Sequence, residues 1–290
     1  MNLKDLQYFL AVAELQHFGQ AAQRCHVSQP TLSGQIKKLE EQLGVQLLER
    51  ANRRVLLTEV GEYIALSARR IMLEVDTIQD VAKSTSNPLS GKFRIGAFPT
   101  LATYVFPNLI EKVKTDLPDL RLILVESKTA ELVEKLRLGE LDAALLALPV
   151  YDDFLVAHKL FDDEFVLATS AGHSLAKKKS IEEDELKKHK LLLLEEGHCL
   201  RDQALDICQL NNFAEEQDFK ATSLETLRQM VKAGTGITFM PKIAVAESDS
   251  AIRYIPFSSP APYRTIGLVW RKTSARYAVI DQLIKLLEIK

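Results

Sequence analysis

Leu32, Ile36, Leu39 and Leu43 recur at spacings of four, three and four, the period of one face of a helix. Ser28 stands before that run as an N-cap, and Pro30 falls in the first turn, where a missing N–H leaves nothing unpaired. Gly44 closes the run. A shorter helix through Ala21 and Ala22 precedes it, separated by Val27. Two short helices joined tightly, the second opening on small polar residues, form the helix-turn-helix pattern. "RRVLLT", after Arg50, reads as a β wing. Thr58 then caps a longer helix, with Glu59 and Glu62 in its positive first turn. Along it Ile64, Ala68, Ile71, Val75, Ile78 and Ala82 alternate at four and three, a heptad seam that ends at "STSNPLSG". Such a stripe packs on its own domain or on a copy of itself. Its regularity and polar flanks favour the copy, so a homodimer is expected.

After Pro88 the period changes. "KFRIGAF" reads as a strand, "LATYVFPNLIEKVKTDL" as a helix, "LRLILVES" as a strand, "AELVEKLRLG" as a helix and "LDAALLAL" as a strand, a parallel α/β unit. "EFVLAT", "KLLLLEE", "SLETLRQMVKAG", "GITFMP" and "RTIGLVW" form a second α/β half. Folds of this kind bind ligands beyond strand carboxyl ends and at helix N-termini. Thr100, after "RIGAF" and Pro99, and Thr129, after "LILVES", stand at such places, where a plain N-cap would also explain them.

Composition narrows the function classes. The 290 residues are 47% hydrophobic and 26% charged with a net charge of −2, so the chain has no global basic signature for nucleic acid. Residues 1–58 hold 7 Lys/Arg against 5 Asp/Glu, and the DNA-binding reading therefore rests on placement. Gln29, Thr31, Ser33 and Gln35, with Ser28 and Pro30 at the helix start, suit base edges, while Lys37, Lys38, Arg50, Arg53 and Arg54 suit phosphates. A helical hairpin with a solvated basic face is the plainer alternative. No apolar run approaches the roughly 18 residues of a membrane span. "MNLKDLQYFLAVAE" carries acids beside a short apolar stretch without a cleavage-like site, so a cytoplasmic protein is expected. The histidines have no metal-ligand spacing, and neither metal nor other cofactor is expected.

Three cysteines in such a chain are no secreted disulfide framework. Cys25 lies in the first helix of the helix-turn-helix pair and reads as core. Cys199 and Cys208 stand in "EEGHCLRDQALDICQL". If that segment is helical, nine residues separate them by ~13.5 Å along the axis and leave them on opposite faces. Leu200, Ala204, Ile207 and Cys208 share an apolar side, with Asp202, Gln203 and Asp206 opposite. Cys199, at the helix start beside His198 and Arg201, has three influences that lower a thiol pKa, with Glu195 and Glu196 opposing. A thiolate there would attack peroxide, and a second thiol could condense with the sulfenic acid formed. Two unrelated cysteines fit the local chemistry equally.

"FLAVAELQHFGQAAQRCHVSQPTLSGQIKKLEEQLGVQLLER" with "LTEVGE" resembles the winged helix-turn-helix of LysR-type transcriptional regulators. Gly34 departs from the larger, often basic residue many members carry. "EEGHCLRDQALDIC", "FKATSLETLRQMVKAGTGIT" and "RTIGLV" are similar to the peroxide-sensing members of that family. The resemblance implies an all-α winged helix-turn-helix over 1–58, a linker helix and hinge over 59–90, and an α/β periplasmic-binding-protein-like sensor over 91–290. Its subdomains would be about 91–162 with 268–290, and 163–267. It implies that Cys199 is the peroxidatic thiol and Cys208 the resolving one, with His198, Arg201 and Asp202 around the sulfur and Thr100 and Thr129 holding peroxide. Asp218 departs from that pattern. The implied partners are pseudo-palindromic promoter DNA, a second copy and then a homotetramer, RNA polymerase, hydrogen peroxide, and a thiol reductant such as glutaredoxin or thioredoxin. The competing readings are a LysR-type regulator with a small-molecule inducer in the interdomain cleft and a thiol peroxidase.

Overall fold

Three helices open the chain. α1 (Leu3–Leu15) starts at a capping box in which Asn2 and Asp5 bond each other's backbone N–H. α2 (Phe18–Arg24) is capped by His17, whose imidazole accepts from the N–H groups of Gly19 and Gln20. α3 (Gln29–Leu43) is capped by Ser28, whose Oγ accepts from the Thr31 N–H at 3.3 Å, and stops at Gly44 with φ +70°. Leu32, Ile36 and Leu39 face inward against Phe9, Val12, Ala21 and Ala22, with Cys25 half-buried beside them. Leu43, expected on that face, lies in the last turn and is 36% exposed. β1 (Leu48–Ala51) and β2 (Arg54–Leu57) pair antiparallel as the wing.

α4 (Glu59–Ser84) begins where Thr58 Oγ1 accepts from the Gly61 N–H at 2.9 Å. The expected seam divides along it. Ala68 packs on α1 with Ala65, while Ile71 and Ile78 are 40% and 68% exposed and Val75 between them is half-buried. Gly61 lies against the chain leading into the wing, where an added Cβ would stand 2.1 Å from the Leu47 carbonyl oxygen. Gly61→Ala is therefore expected to destabilise this unit by about 1–3 kcal/mol, as overpacking does. A urea titration followed by circular dichroism checks this, and an unchanged midpoint would contradict it.

The structure, a computed structural model, describes residues 1–51, 54–84, 87–207, 221–246 and 249–288, and the chain forms two units, Met1–Thr85 and Ser86–Lys290. In the second unit β3 (Gly91–Ala97), α5 (Pro99–Asp116), β4 (Leu120–Glu126), α6 (Thr129–Leu138) and β5 (Ala143–Leu148) follow the expected alternation. β6 (Leu155–Ser170) leads to α7 (Cys199–Ile207), α8 (Leu224–Lys232), β7 (Thr238–Pro241), β8 (Ile252–Pro256), β9 (Tyr263–Arg271) and α9 (Tyr277–Leu287). The sheet runs β4-β3-β5-β9-β6-β7, with β8 also on β6. β4, β3 and β5 are parallel, and β9 lies antiparallel to both β5 and β6.

Two cores result. One gathers Phe93, Ile95, Leu101, Leu132, Leu268 and Leu283, the other Phe165, Leu192, Leu194, Leu200, Leu227 and Phe239. β6 contributes Leu155 and Leu160 to the first and Phe165 to Ala168 to the second, so the chain passes between subdomains inside one strand. "EFVLAT" is thus only the second half of β6. "KLLLLEE" is not the strand its composition suggests. Leu191 to Leu194 are buried, but they join neighbours through isolated bridges to Ile237 and Ala221.

Candidate functional site

On α3, Gln29, Pro30, Thr31, Lys37 and Lys38 are exposed, and Ser33 and Gln35 are half-buried. The helix is held with its first turn outward by the inward face of Leu32, Ile36 and Leu39. Ser28 and Thr31 bond to one another through their hydroxyls at 2.7 Å, which gives Ser28 a cap-building role. A Cβ at Gly34 would meet nothing within 4 Å, so no internal contact demands that glycine. Arg50 and Arg54 lie on β1 and β2 opposite Val55 and Ala51, while Arg53 lies outside the described residues.

The thiol site is built where the two subdomains meet. A register shift in β6 between Lys159 and Phe161 sets Asp163 directly opposite Arg264 of β9. The Arg264 side chain is fully buried. Its Nε donates to Asp163 Oδ2 at 2.9 Å, its Nη2 stands 2.8 Å from the same oxygen as an ion pair, and the rings of Phe98 and Phe165 lie 5.2 and 5.9 Å from its guanidinium carbon. The same guanidinium donates to the Thr100 hydroxyl at 3.0 Å and to the Thr100 carbonyl at 3.2 Å. Thr100 is thus no N-cap. Phe98 holds that position in α5, and Thr100 is tied to a cation from another strand.

Cys199 is the first residue of α7 and carries a free thiol, half-buried and packed against the first subdomain's core. Burial pushes this thiol above its ordinary 9.0, Arg264 draws it back, the Thr129 hydroxyl and the Leu200 N–H help, and Asp202 opposes. The Thr129 hydroxyl is buried and has no close hydrogen-bond partner among the described residues, so its contact with the sulfur is looser than a full hydrogen bond. Lys128 caps α6, which places Thr129 in the first turn rather than at the cap.

The expected activation of Cys199 is corrected in two respects. His198 is 6% exposed, and burial, with the nearby Lys128 ammonium, lowers its pKa below 6.5 against the pull of Glu195, which favours the neutral imidazole. Arg201 turns away to donate to the Leu194 carbonyl at 3.2 Å. The cation acting on the sulfur is Arg264, with Asp163 behind it. Neither was singled out from the sequence, although an arginine opening the apolar strand "RTIGLVW" is the kind of residue that needs a buried partner. Asp202 is exposed. Cys208 and Asp218 lie outside the described residues.

Because burial dominates, alkylation of Cys199 by a small neutral electrophile is expected to accelerate with pH through and beyond 9. Site-resolved labelling across pH 6 to 10 measures this, and a plateau reached below pH 7 would show a thiolate at rest. Among the described residues no cluster of three His, Cys, Asp or Glu side chains is placed to hold a metal. No described helix is long and apolar enough to cross a membrane.

Residues 3–62 match the bacterial regulatory helix-turn-helix model of the LysR family, and residues 86–289 match the LysR substrate-binding domain. The chain is 42% identical to the DNA-binding transcriptional dual regulator OxyR of Escherichia coli K12, over 100% of this chain and 96% of the relative. A full-length OxyR cysteine variant from Pseudomonas aeruginosa superposes with a TM-score of 0.78 at 39% identity, covering 100% and 98% of the two chains. A Corynebacterium glutamicum OxyR cysteine mutant with hydrogen peroxide bound gives 0.68 at 34% identity, covering 99% and 91%. The chain belongs to the LysR family of DNA-binding transcriptional regulators, in its OxyR branch.

Proposed function

We infer that this regulator senses hydrogen peroxide through Cys199 and converts the oxidation into a change of promoter contacts by bonding Cys199 to Cys208. The observation that carries the reading is a free thiol at a helix N-terminus, set among the Thr129 hydroxyl, the Thr100–Arg264 pair and a neutral His198. Hydroxyls and amides there can hold a small neutral oxidant, and Arg264 stabilises the negative charge that develops on sulfur. The sulfur attacks one peroxide oxygen and the O–O bond breaks. The departing hydroxide takes the proton that the Cys199 thiol gives up and leaves as water, and Cys199 becomes a sulfenic acid. Cys208 then attacks that sulfur, a second water leaves, and a disulfide remains.

This second step carries a geometric demand. Cys199 and Ile207 are the two ends of α7, about 12 Å apart along its axis. Cys208 follows Ile207 with its Cα about 3.8 Å away. The cysteine Cα atoms are therefore at least about 8 Å apart while α7 is intact, beyond the roughly 7 Å a disulfide allows. Bonding requires α7 to open, which couples oxidation to a change of shape.

In this reading a dimer, and then a tetramer, assembled in part through the exposed stripe of α4, presents paired α3 helices to a pseudo-palindromic promoter. Oxidation resets their spacing and the contact with RNA polymerase. Glutaredoxin or thioredoxin, as a thiol reductant, restores the dithiol. Intact-mass analysis with peptide mapping after one equivalent of hydrogen peroxide tests the chemistry. A loss of two mass units mapped to Cys199 and Cys208 supports it. Free thiols or slow overoxidation would leave a regulator of this family with a small-molecule inducer.

A further inference from the structure

Lys128 breaks a local rule. It occupies the N-cap of α6, where Ser, Thr, Asn or Asp would accept a helix N–H, and its side chain makes no cap hydrogen bond. A cation there also meets the positive end of the helix dipole. Instead its ammonium leaves the first subdomain and donates to Glu195 Oε1 at 2.9 Å and to the Glu196 carbonyl at 3.1 Å, both on the loop before Cys199 in the second. Its stem lies over Gly197, whose φ is +85°. A Cβ there would stand 3.2 Å from Lys128 Cδ and 3.5 Å from Nζ. The glycine thus serves both the left-handed turn and the passage of the lysine. The His198 Nε2 is 3.8 Å from the same Glu195 Oε1.

We propose that Lys128 is a positioning residue, a latch that ties residues 195–198 to the first subdomain in the reduced protein and lets go when Cys199 leaves its seat to bond Cys208. This rests on the peroxide reading of the site. Cys199 packs on the first subdomain while its helix belongs to the second, so the loop before it is the segment that must swing. Among the described residues, the charged groups that act on His198 are Lys128 from α6 and Glu195 on its own loop. Removing the lysine leaves the Glu195 carboxylate to act on His198, so the imidazole gains a proton at higher pH. The Lys128 and Glu195 side chains are each about a third exposed, 36% and 35%, so salt weakens the latch.

The test uses full-length protein with Lys128→Gln and Lys128→Arg. In the reduced state, amide exchange of the 195–198 peptide is expected to be about two- to five-fold faster in the glutamine variant and restored in the arginine variant. Added NaCl should accelerate exchange in the parent and not in the glutamine variant. In a dithiothreitol redox buffer the Cys199–Cys208 equilibrium should move about two- to five-fold toward the disulfide in Lys128→Gln, because only the reduced form loses a contact. The His198 NMR titration should move to higher pH in that variant, as loss of the nearby ammonium requires, while the shifted disulfide equilibrium is the readout that a merely structural lysine would not move. Exchange and equilibrium both matching the parent would overturn the latch. Faster exchange with an unmoved equilibrium would overturn its coupling to the switch. If the parent forms no disulfide at all, the peroxide reading fails, and the exchange arm alone decides whether the lysine holds the loop.

Discussion

Arg264→Met is expected to destabilise the second unit by about 3–5 kcal/mol, the range for removing one partner of a buried ion pair. The Arg264 and Asp163 side chains are 0% and 3% exposed, so the deleted guanidinium leaves a carboxylate that water cannot reach. The Ile243 N–H still donates to Asp163 Oδ1 at 3.1 Å, but one neutral donor does not replace a buried cation. The Thr100 hydroxyl loses its partner as well. The chain's single tryptophan, Trp270, lies buried in β9 six residues from Arg264, so its fluorescence during urea unfolding reports this unit directly. The double variant Asp163→Asn with Arg264→Met separates stability from chemistry. An asparagine carbonyl can keep the Ile243 bond without the buried charge, so most of the lost stability should return. Oxidation of Cys199 should stay slow, because the cation that favours charge on its sulfur is gone. A double variant that regained both stability and oxidation rate would reduce Arg264 to a structural role.

The same pair marks how far the sequence could be read. The helix-turn-helix was legible because its cues are local. Ser28, Pro30 and the Leu32, Ile36 and Leu39 face lie within a dozen residues, and each states its position by itself. The alternation that locates β3 to β5 was legible for the same reason. Arg264 and Asp163 are 101 residues apart, and their meeting depends on a register shift in β6 that no composition announces. Lys128 and Glu195 are 67 apart and meet only because two subdomains close on each other. The first half of β6 escaped because adjacent polar pairs, His158 with Lys159 and Asp162 with Asp163, break the alternation in "VAHKLFDD", and "KLLLLEE" passed for a strand because four buried leucines satisfy a core without a ladder. The direction of the Cys199 shift stayed open in the sequence for a related reason. A helix N-terminus and a basic neighbour can be read locally, whereas burial against Leu101 and Leu132's core is tertiary, and it is the larger effect.

Cys199→Ser and Cys208→Ser are each expected to abolish the peroxide-dependent change in promoter footprint, and they should fail at different steps. Without Cys199 no sulfenic acid forms, so Cys208 has nothing to attack, and peroxide at one equivalent leaves the mass unchanged. Without Cys208 the sulfenic acid forms and can be trapped by a dione reagent, but the bond that would open α7 cannot be made. The helix then keeps Leu200 and Ala204 in the second subdomain's core, and the protein keeps its reduced footprint. The energetics are close enough for reversal. Withdrawing such side chains costs about 2–5 kcal/mol, and a disulfide contributes about 2–4 kcal/mol, so a modest reductant can return the protein to its helical form. The informative sample is therefore Cys208→Ser after peroxide. A changed footprint there, with sulfenic acid trapped and no disulfide present, would show that oxidation of Cys199 alone moves the promoter contacts and that the opening of α7 is not the switch.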